Sequence, residues 1–435
     1  MSGLAEDILT VGLGEKLVGE EILPRVPITS LKAVRSTCKK WDALTKRCVL
    51  GKEAPEQQHQ FLGFATINDK LCSLRFHLGG EEERDDFVSV KQVDLFKHLE
   101  ISKVYHCDGL VLCIPKDKDN SSNKLLLWNP YLSQTRWIGP RENFSLRDRY
   151  AIGYDDSHNH KILRFVDSAR GLIGLGREVG FEIYDISRSS SNSNSSSSSS
   201  SWRVLEVTPE WSIDMHQRGV TVKGNTYFYA HQRFADMRHD YLAWAEDFLL
   251  CFDFTNERFG PPLPLPFHST DSGIGDCVTL SSFARHHVHE DDQLAVLFGG
   301  LETDFFEIWV TLTAVEPNHV SWIKFLRVDI SFNLNSHFGG SFFVNEENKV
   351  AVLFESNILH TAYVFGQDGY FNYVKLGKAL VLEHRSPITN RLYKAAHPPL
   401  VSSSSYRPSL VQLTQQQQQH SRKRKRETTP TCSEI

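Results

Sequence analysis

The chain has 435 residues, 40% of them hydrophobic and 11% aromatic, with a formal net charge of -5, which is enough apolar material for one large and one small domain. The acidic balance argues against a broadly nucleic-acid-binding surface, where basic residues are in excess, and no apolar run approaches the roughly 20 residues of a membrane helix. Eight cysteines without a CxxC pair, behind an N-terminus (MSGLAEDILTVGLGEK) with no basic region and no continuous apolar stretch, predict a soluble intracellular protein with buried thiols rather than disulfides.

The first elements in the chain have helical spacing. Leu17, Val18, Ile22 and Leu23 predict a helix from about Glu15 to Leu23, which Pro24 and Pro27 terminate. Thr29 or Ser30 is placed to cap the next helix, where Leu31, Val34, Cys38, Trp41 and Leu44 form one apolar stripe opposite Lys32, Arg35, Lys39, Lys40 and Lys46. The stripe has two readings, the core of a small helical domain and a partner-binding face. Both apply, because a module of roughly 40 residues cannot bury enough surface alone.

The order of residues in this stretch is more specific than their spacing. Glu20-Glu21-Ile22-Leu23-Pro24-Arg25-Val26-Pro27, then Ser30-Leu31, Arg35-Ser36-Thr37-Cys38-Lys39 and Trp41, resemble the plant type of F-box, a three-helix module. The resemblance departs at the start, where Leu13-Gly14 stands for the family's Leu-Pro and Lys16 for its Asp. It implies packing on a Skp-type adaptor and, through it, on a cullin. The residues it nominates for that face and its supporting core are Leu17, Ile22, Leu23, Val26, Pro27, Leu31, Val34, Cys38 and Trp41.

From Phe61 onward the texture changes to short β-type runs separated by turn residues. Phe61 to Ile67 and Leu71 to Phe76 flank Asn68-Asp69-Lys70, and Ile101 to His106 and Gly109 to Ile114 flank Asp108; both are hairpin signals. Further hairpins are predicted around Asp155–Asn159, Gly224-Asn225, Val344–Lys349 and Phe365–Tyr370, and the acidic run Glu81–Asp86 reads as a solvated loop. A strand–turn–aromatic-strand theme recurs at Trp128, Tyr184, Phe252 and Trp309, in steps of 56, 68 and 57 residues, the long step containing a serine tract. A repeat of about 50 residues predicts propeller blades, and a little over twenty strands at about four per blade predict an irregular β-propeller of five to six blades.

Cys107-Asp108-Gly109-Leu110, Leu127-Trp128-Asn129-Pro130, Gly153-Tyr154-Asp155, Gly219-Val220 with Lys223-Gly224-Asn225-Thr226-Tyr227, and Glu307-Ile308-Trp309-Val310 resemble the plant F-box-associated, kelch-like domain. That likeness runs from about residue 101 to 377 and implies recognition of a target protein. The expected architecture is mainly β with a small N-terminal α module: a helical module over 1–50, a propeller over 51–400, and a tail over 401–435. Ser187–Ser201 and the Ser/Gln-rich tail are too polar to join a core and are expected to be disordered. Arg422, Lys423, Arg424, Lys425 and Arg426 read as a nuclear-import signal, a solvated charge run or a weak nucleic-acid contact, so the expected location is nucleus, cytoplasm or both.

No catalytic constellation is legible: no GxSxG elbow, no phosphate-binding glycine loop and no HExxH. His286, His287, His289, Glu290, Asp291 and Asp292, like His158 and His160, read as polar loops because neighbours on a strand point to opposite faces. The expectation is a non-catalytic, cofactor-free receptor subunit of a Skp–cullin–F-box ubiquitin ligase. A propeller scaffold for a nuclear protein or RNA, without ligase assembly, is the alternative, and a propeller enzyme a more remote one.

Overall fold

The computed structural model describes residues 18, 22, 23, 26, 30–47, 60–77, 88–116, 124–141, 148–167, 179–186, 202–213, 217–232, 246–267, 277–284, 292–299, 305–312, 316–329, 341–346, 348–356, 359–385, 392–396, 400–401 and 406–413. Six antiparallel sheets form the blades of a propeller. Blade 2 is β4 (Ile101–Cys107), β5 (Leu110–Pro115), β6 (Leu125–Asn129) and β7 (Gln134–Ile138); blade 3 is β8 (Arg149–Tyr154), β9 (His160–Asp167), β10 (Val179–Asp185) and β11 (Trp202–Leu205). Blade 4 is β13 (Val220–Val222), β14 (Asn225–Gln232), β15 (Asp247–Asp253) and β16 (Arg258–Phe259), with the short β12 (Trp211–Ser212) also on β14. Blade 5 is β17 (Cys277–Ala284), β18 (Asp292–Gly299), β19 (Phe305–Thr311) and β20 (Trp322–Asp329), and blade 6 is β21 (Phe342–Asn345), β22 (Val350–Ser356), β23 (Leu359–Gly366) and β24 (Phe371–Lys378). A separate hairpin, β25 (Val381–Arg385) and β26 (Leu392–Ala396), follows.

Blade 1 joins the first and last of the described strands. Its strands β1 (Gln60–Ile67), β2 (Lys70–His77) and β3 (Val88–Gln92) are completed by β27 (Leu400–Val401), which pairs with Ala65 and Thr66. The polar composition after Leu400 suggested a free tail, but residues 406–413 continue along the propeller. Tyr406 and Leu413 are buried, the Tyr406 N–H donates to the Leu62 carbonyl at 2.5 Å, and the Asn129 side-chain amide donates to the carbonyls of Ser409 (3.0 Å) and Val411 (2.9 Å). These tertiary contacts are what the composition of an isolated polar segment does not display.

Each gap between neighbouring blades is filled by one apolar cluster. Phe64, Trp128 and Tyr131 lie between blades 1 and 2, Leu110, Tyr150 and Trp202 between 2 and 3, and Phe165, Phe228 and Phe252 between 3 and 4. Leu249, Leu280 and Val296 fill the next gap, Phe306, Phe342 and Phe365 the one after, and Phe76, Phe343 and Val352 the gap between blades 6 and 1. The ring therefore closes on burial of paired sheet faces. Two-residue turns set the registers: Asn68-Asp69 and Asp108-Gly109 both have positive φ, the geometry whose twist matches a hairpin. The recurrent aromatics fall on the third strand of four consecutive blades, β6, β10, β15 and β19.

Candidate functional site

In the N-terminal module the expected single helix after Ser30 is two, α1 (Leu31–Arg35) and α2 (Lys39–Thr45). The Ser36 and Thr37 hydroxyls donate back to the carbonyls of Ala33 (2.8 Å) and Val34 (2.5 Å), which ends α1. Cys38 is extended, and its Sγ accepts the Trp41 N–H at 3.5 Å, so the cysteine itself caps α2. Ser30 stands at the N-cap of α1 without a side-chain capping bond. Asp42 ties the two helices together, accepting from Arg35 Nε and Lys46 Nζ at 2.8 Å each, and these hydrogen bonds, Lys46's first, hold its carboxyl below the ordinary range.

The nominated residues divide into two groups. Val18, Leu23 and Leu44 are buried together, with Ile22, Val34 and Trp41 only partly covered beside them. Leu31 points the other way: it is 1% exposed and packs among Phe64, Phe96, Trp128 and Tyr406 in the gap between blades 1 and 2, and Val26 lies against the same cluster. Arg35 fixes this seat by donating to the Tyr131 carbonyl at 3.2 Å and lying 4.3 Å over the Tyr131 ring. Leu31 is thus a bolt into the propeller, while Ile22, Val34 and Trp41 stay partly covered in the second cluster. Leu17 and Pro27 lie outside the described residues.

The propeller axis is narrow. Inner-strand residues Val104, Ile152, Val220, Thr279 and Val401 surround a cavity of about 30 Å³, room for a few waters. Arg218 spans it, donating to Ser341 Oγ at 2.5 Å and the Val401 carbonyl at 3.3 Å, and burial pushes its guanidinium pKa down. Burial, then the nearby Arg149 and Arg218 charges, also lower the Lys103 pKa. The axis serves as a latch between blades 4, 6 and 1.

No group of three or more His, Cys, Asp or Glu among the described residues is placed to hold a metal ion. Residues 285–291 lie outside the described set. His160, expected in a polar loop, is instead buried on β9, 3.4 Å from Asp108, and His158 stacks on Tyr154 at 4.7 Å. Among the described residues no helix is long and apolar enough to cross a membrane.

The family description "F-box associated beta propeller domain" matches residues 62–413. The chain belongs to that family. Among relatives in Arabidopsis thaliana, the F-box/kelch-repeat protein At1g24800 is 48% identical over 92% of this chain and 91% of its own length. The F-box/kelch-repeat protein At3g13680 is 46% identical over 91% and 94%, and the putative F-box protein At4g17200 is 44% identical over 92% and 98%. In this plant F-box protein the family's sequence motifs serve the fold. A Cβ on Gly109 would lie 2.4 Å from Ser409 Cβ, so the strap formed by residues 406–413 passes only over glycine. Asn129 holds the strap and also accepts the Leu132 N–H at 3.0 Å. Gly153 and Gly224 let blades 3 and 4 touch backbone to backbone, with the Tyr154 N–H donating to the Gly224 carbonyl at 3.1 Å. The segments 187–201 and 422–426 lie outside the described residues.

Proposed function

We propose that this F-box protein is the substrate-recognition subunit of a Skp–cullin–F-box ubiquitin ligase, a receptor without catalytic chemistry of its own. The observation that carries the reading is the division of labour in the N-terminal module. One side, Leu31 and Arg35, is anchored in the propeller, while Ile22, Val34 and Trp41 are left half-covered beside the buried Leu23 and Leu44. A rigidly seated helical module with an unfinished apolar face suits an adaptor that must hold a bound target at fixed distance from a ubiquitin-carrying enzyme, raising its effective concentration. Arg422–Arg426 would direct such a receptor to the nucleus as well as the cytoplasm.

The test is a pull-down of the full chain with a purified Skp-type adaptor. Wild type binds, and the double variant Ile22→Asp/Trp41→Ala loses binding by at least about tenfold while the propeller melt is unchanged. A wild-type chain that fails to bind, under conditions where a related F-box protein binds, overturns the proposal.

A further inference from the structure

Blades 5 and 6 part company at their outer strands. Between β20 and the β23–β24 pair lies an open groove of about 1190 Å³, larger than the roughly 300–1,000 Å³ of a small-molecule pocket. Strand alternation builds its aromatic wall: Tyr363 pairs in register with Tyr373 and Phe365 with Phe371, so all four rings share one face of blade 6. On the opposite face, Val364, Val374 and Leu376 pack towards blade 1. Phe371 is 49% exposed, Tyr373 52% and the neighbouring Tyr370 53%, whereas the inner part of the same gap is sealed by Phe306, Phe342 and Phe365. Other exposed large apolar side chains, such as Leu95, Trp137 and Val204, come from elements scattered over the propeller; this patch is contiguous, and contiguity is what marks a binding surface.

Two further features describe the occupant. Both walls end in strands that are terminal in their sheets among the described residues, β20 of blade 5 and β24 of blade 6, and such an edge offers backbone donors and acceptors to an extended chain. The rim carries both signs. Lys324, Arg327 and Lys375 line the groove with Asp329, which Arg327 reaches at 3.5 Å, and Glu355 is hydrogen-bonded to Tyr363 of the aromatic wall. Glu307, 8% exposed, is covered from the solvent side by Lys324 (2.7 Å) and Arg327 (3.5 Å). Arg327 also lies 3.7 Å over Phe305 and Lys324 4.7 Å over Trp309, which holds both head groups along the wall.

We infer that this groove takes an extended segment of the target protein in which an aromatic or large aliphatic side chain is flanked by carboxylates. The inference rests on the receptor reading and gives that receptor its recognition surface. The aromatic wall accepts the apolar side chain, the cations at the rim meet the carboxylates, and a strand edge fixes the backbone. Aromatics beside cations also suit single-stranded nucleic acid, but the terminal strand edges and the chain's overall charge of -5 favour a peptide.

The experiment uses the purified full-length chain. Phage-displayed random peptides of about 12 residues, long enough to follow one strand, are panned on it. The enriched sequence is then synthesised with a fluorescent label and its anisotropy measured on wild type, Tyr373→Ala and Lys375→Glu. Enriched peptides are expected to carry an aromatic or large aliphatic residue with at least two carboxylates, and to lose about tenfold or more in affinity to each variant. Both side chains are exposed, so the variants keep the wild-type melt. Failure to enrich any peptide, enrichment of basic peptides, equal affinity for all three proteins, or binding of labelled oligouridine in place of peptide each overturns the assignment. The adaptor pull-down on the same proteins separates the two readings. Groove-dependent peptide binding without adaptor binding removes only the ligase, and adaptor binding without a groove-dependent peptide removes only the groove.

Discussion

His106 accepts the Gly109 N–H through Nε2 at 3.2 Å, a role open only to an unprotonated nitrogen. Burial pushes its pKa down to about 4, Asp108 pulling it back up and Arg407 adding to the depression. Because the folded value lies below the unfolded value near 6.5, the unfolded chain takes up the proton first. The contribution to stability is complete above about pH 6.5 and is lost as pH falls through about 4. The thermal midpoint is therefore expected to drop between those values, and the drop to be smaller in His106→Gln, as followed by circular dichroism across a pH series. Asn129 and Gly109 carry a related lesson at this scale. Both stood in recognisable motifs, yet their purpose was hidden, because the strap they hold comes from residues 406–413, about 280 positions along the chain.

At the scale of elements, hairpins with strong turn chemistry were the most legible. Asn68-Asp69 and Asp108-Gly109 end strands where their φ values require it. β17 and β27 were not legible: the apolar pattern of β17 is broken by Thr279, Ser281 and Ser282, and β27 is two residues whose partner is β1. The adaptor stripe was legible as apolar but not as two-faced, since the break at Ser36–Cys38 depends on hydroxyls bonding backwards and on a cysteine cap. That break gives Leu31 and Trp41 separable consequences. Leu31→Ala is expected to cost about 2–5 kcal/mol of propeller stability by opening a cavity beside Phe64 and Trp128. Trp41→Ala is expected to leave the propeller's denaturant midpoint in place and, on the proposed receptor reading, to weaken adaptor binding instead. Urea titrations of the two variants, read beside the pull-down, check the split.

For the whole molecule, the repeat steps of 56, 68 and 57 residues reported blade succession, and the uneven middle step reflects a longer connection between third strands rather than a missing blade. The series continues into the sixth blade, whose third strand, β23, places Tyr363 54 residues after Trp309. Six apolar gaps make the ring only as cohesive as its closure, which is the two-residue pairing of β27 with β1, the Arg218 latch and the strap. A chain ending at residue 399 is expected to lose the single cooperative melt and to bind a dye for exposed apolar surface, as scanning calorimetry and fluorescence would read.

The strap has a further consequence during synthesis. Tyr406 belongs to the same cluster that receives Leu31, so the seat for the first described helix is finished by some of the last described residues. While the ribosome is still short of residue 406, α1 has an incomplete socket and its half-covered face has no fixed orientation. Recruitment through that face would then favour chains whose propeller has closed, and a prematurely terminated chain would present its helices without a rigid mount.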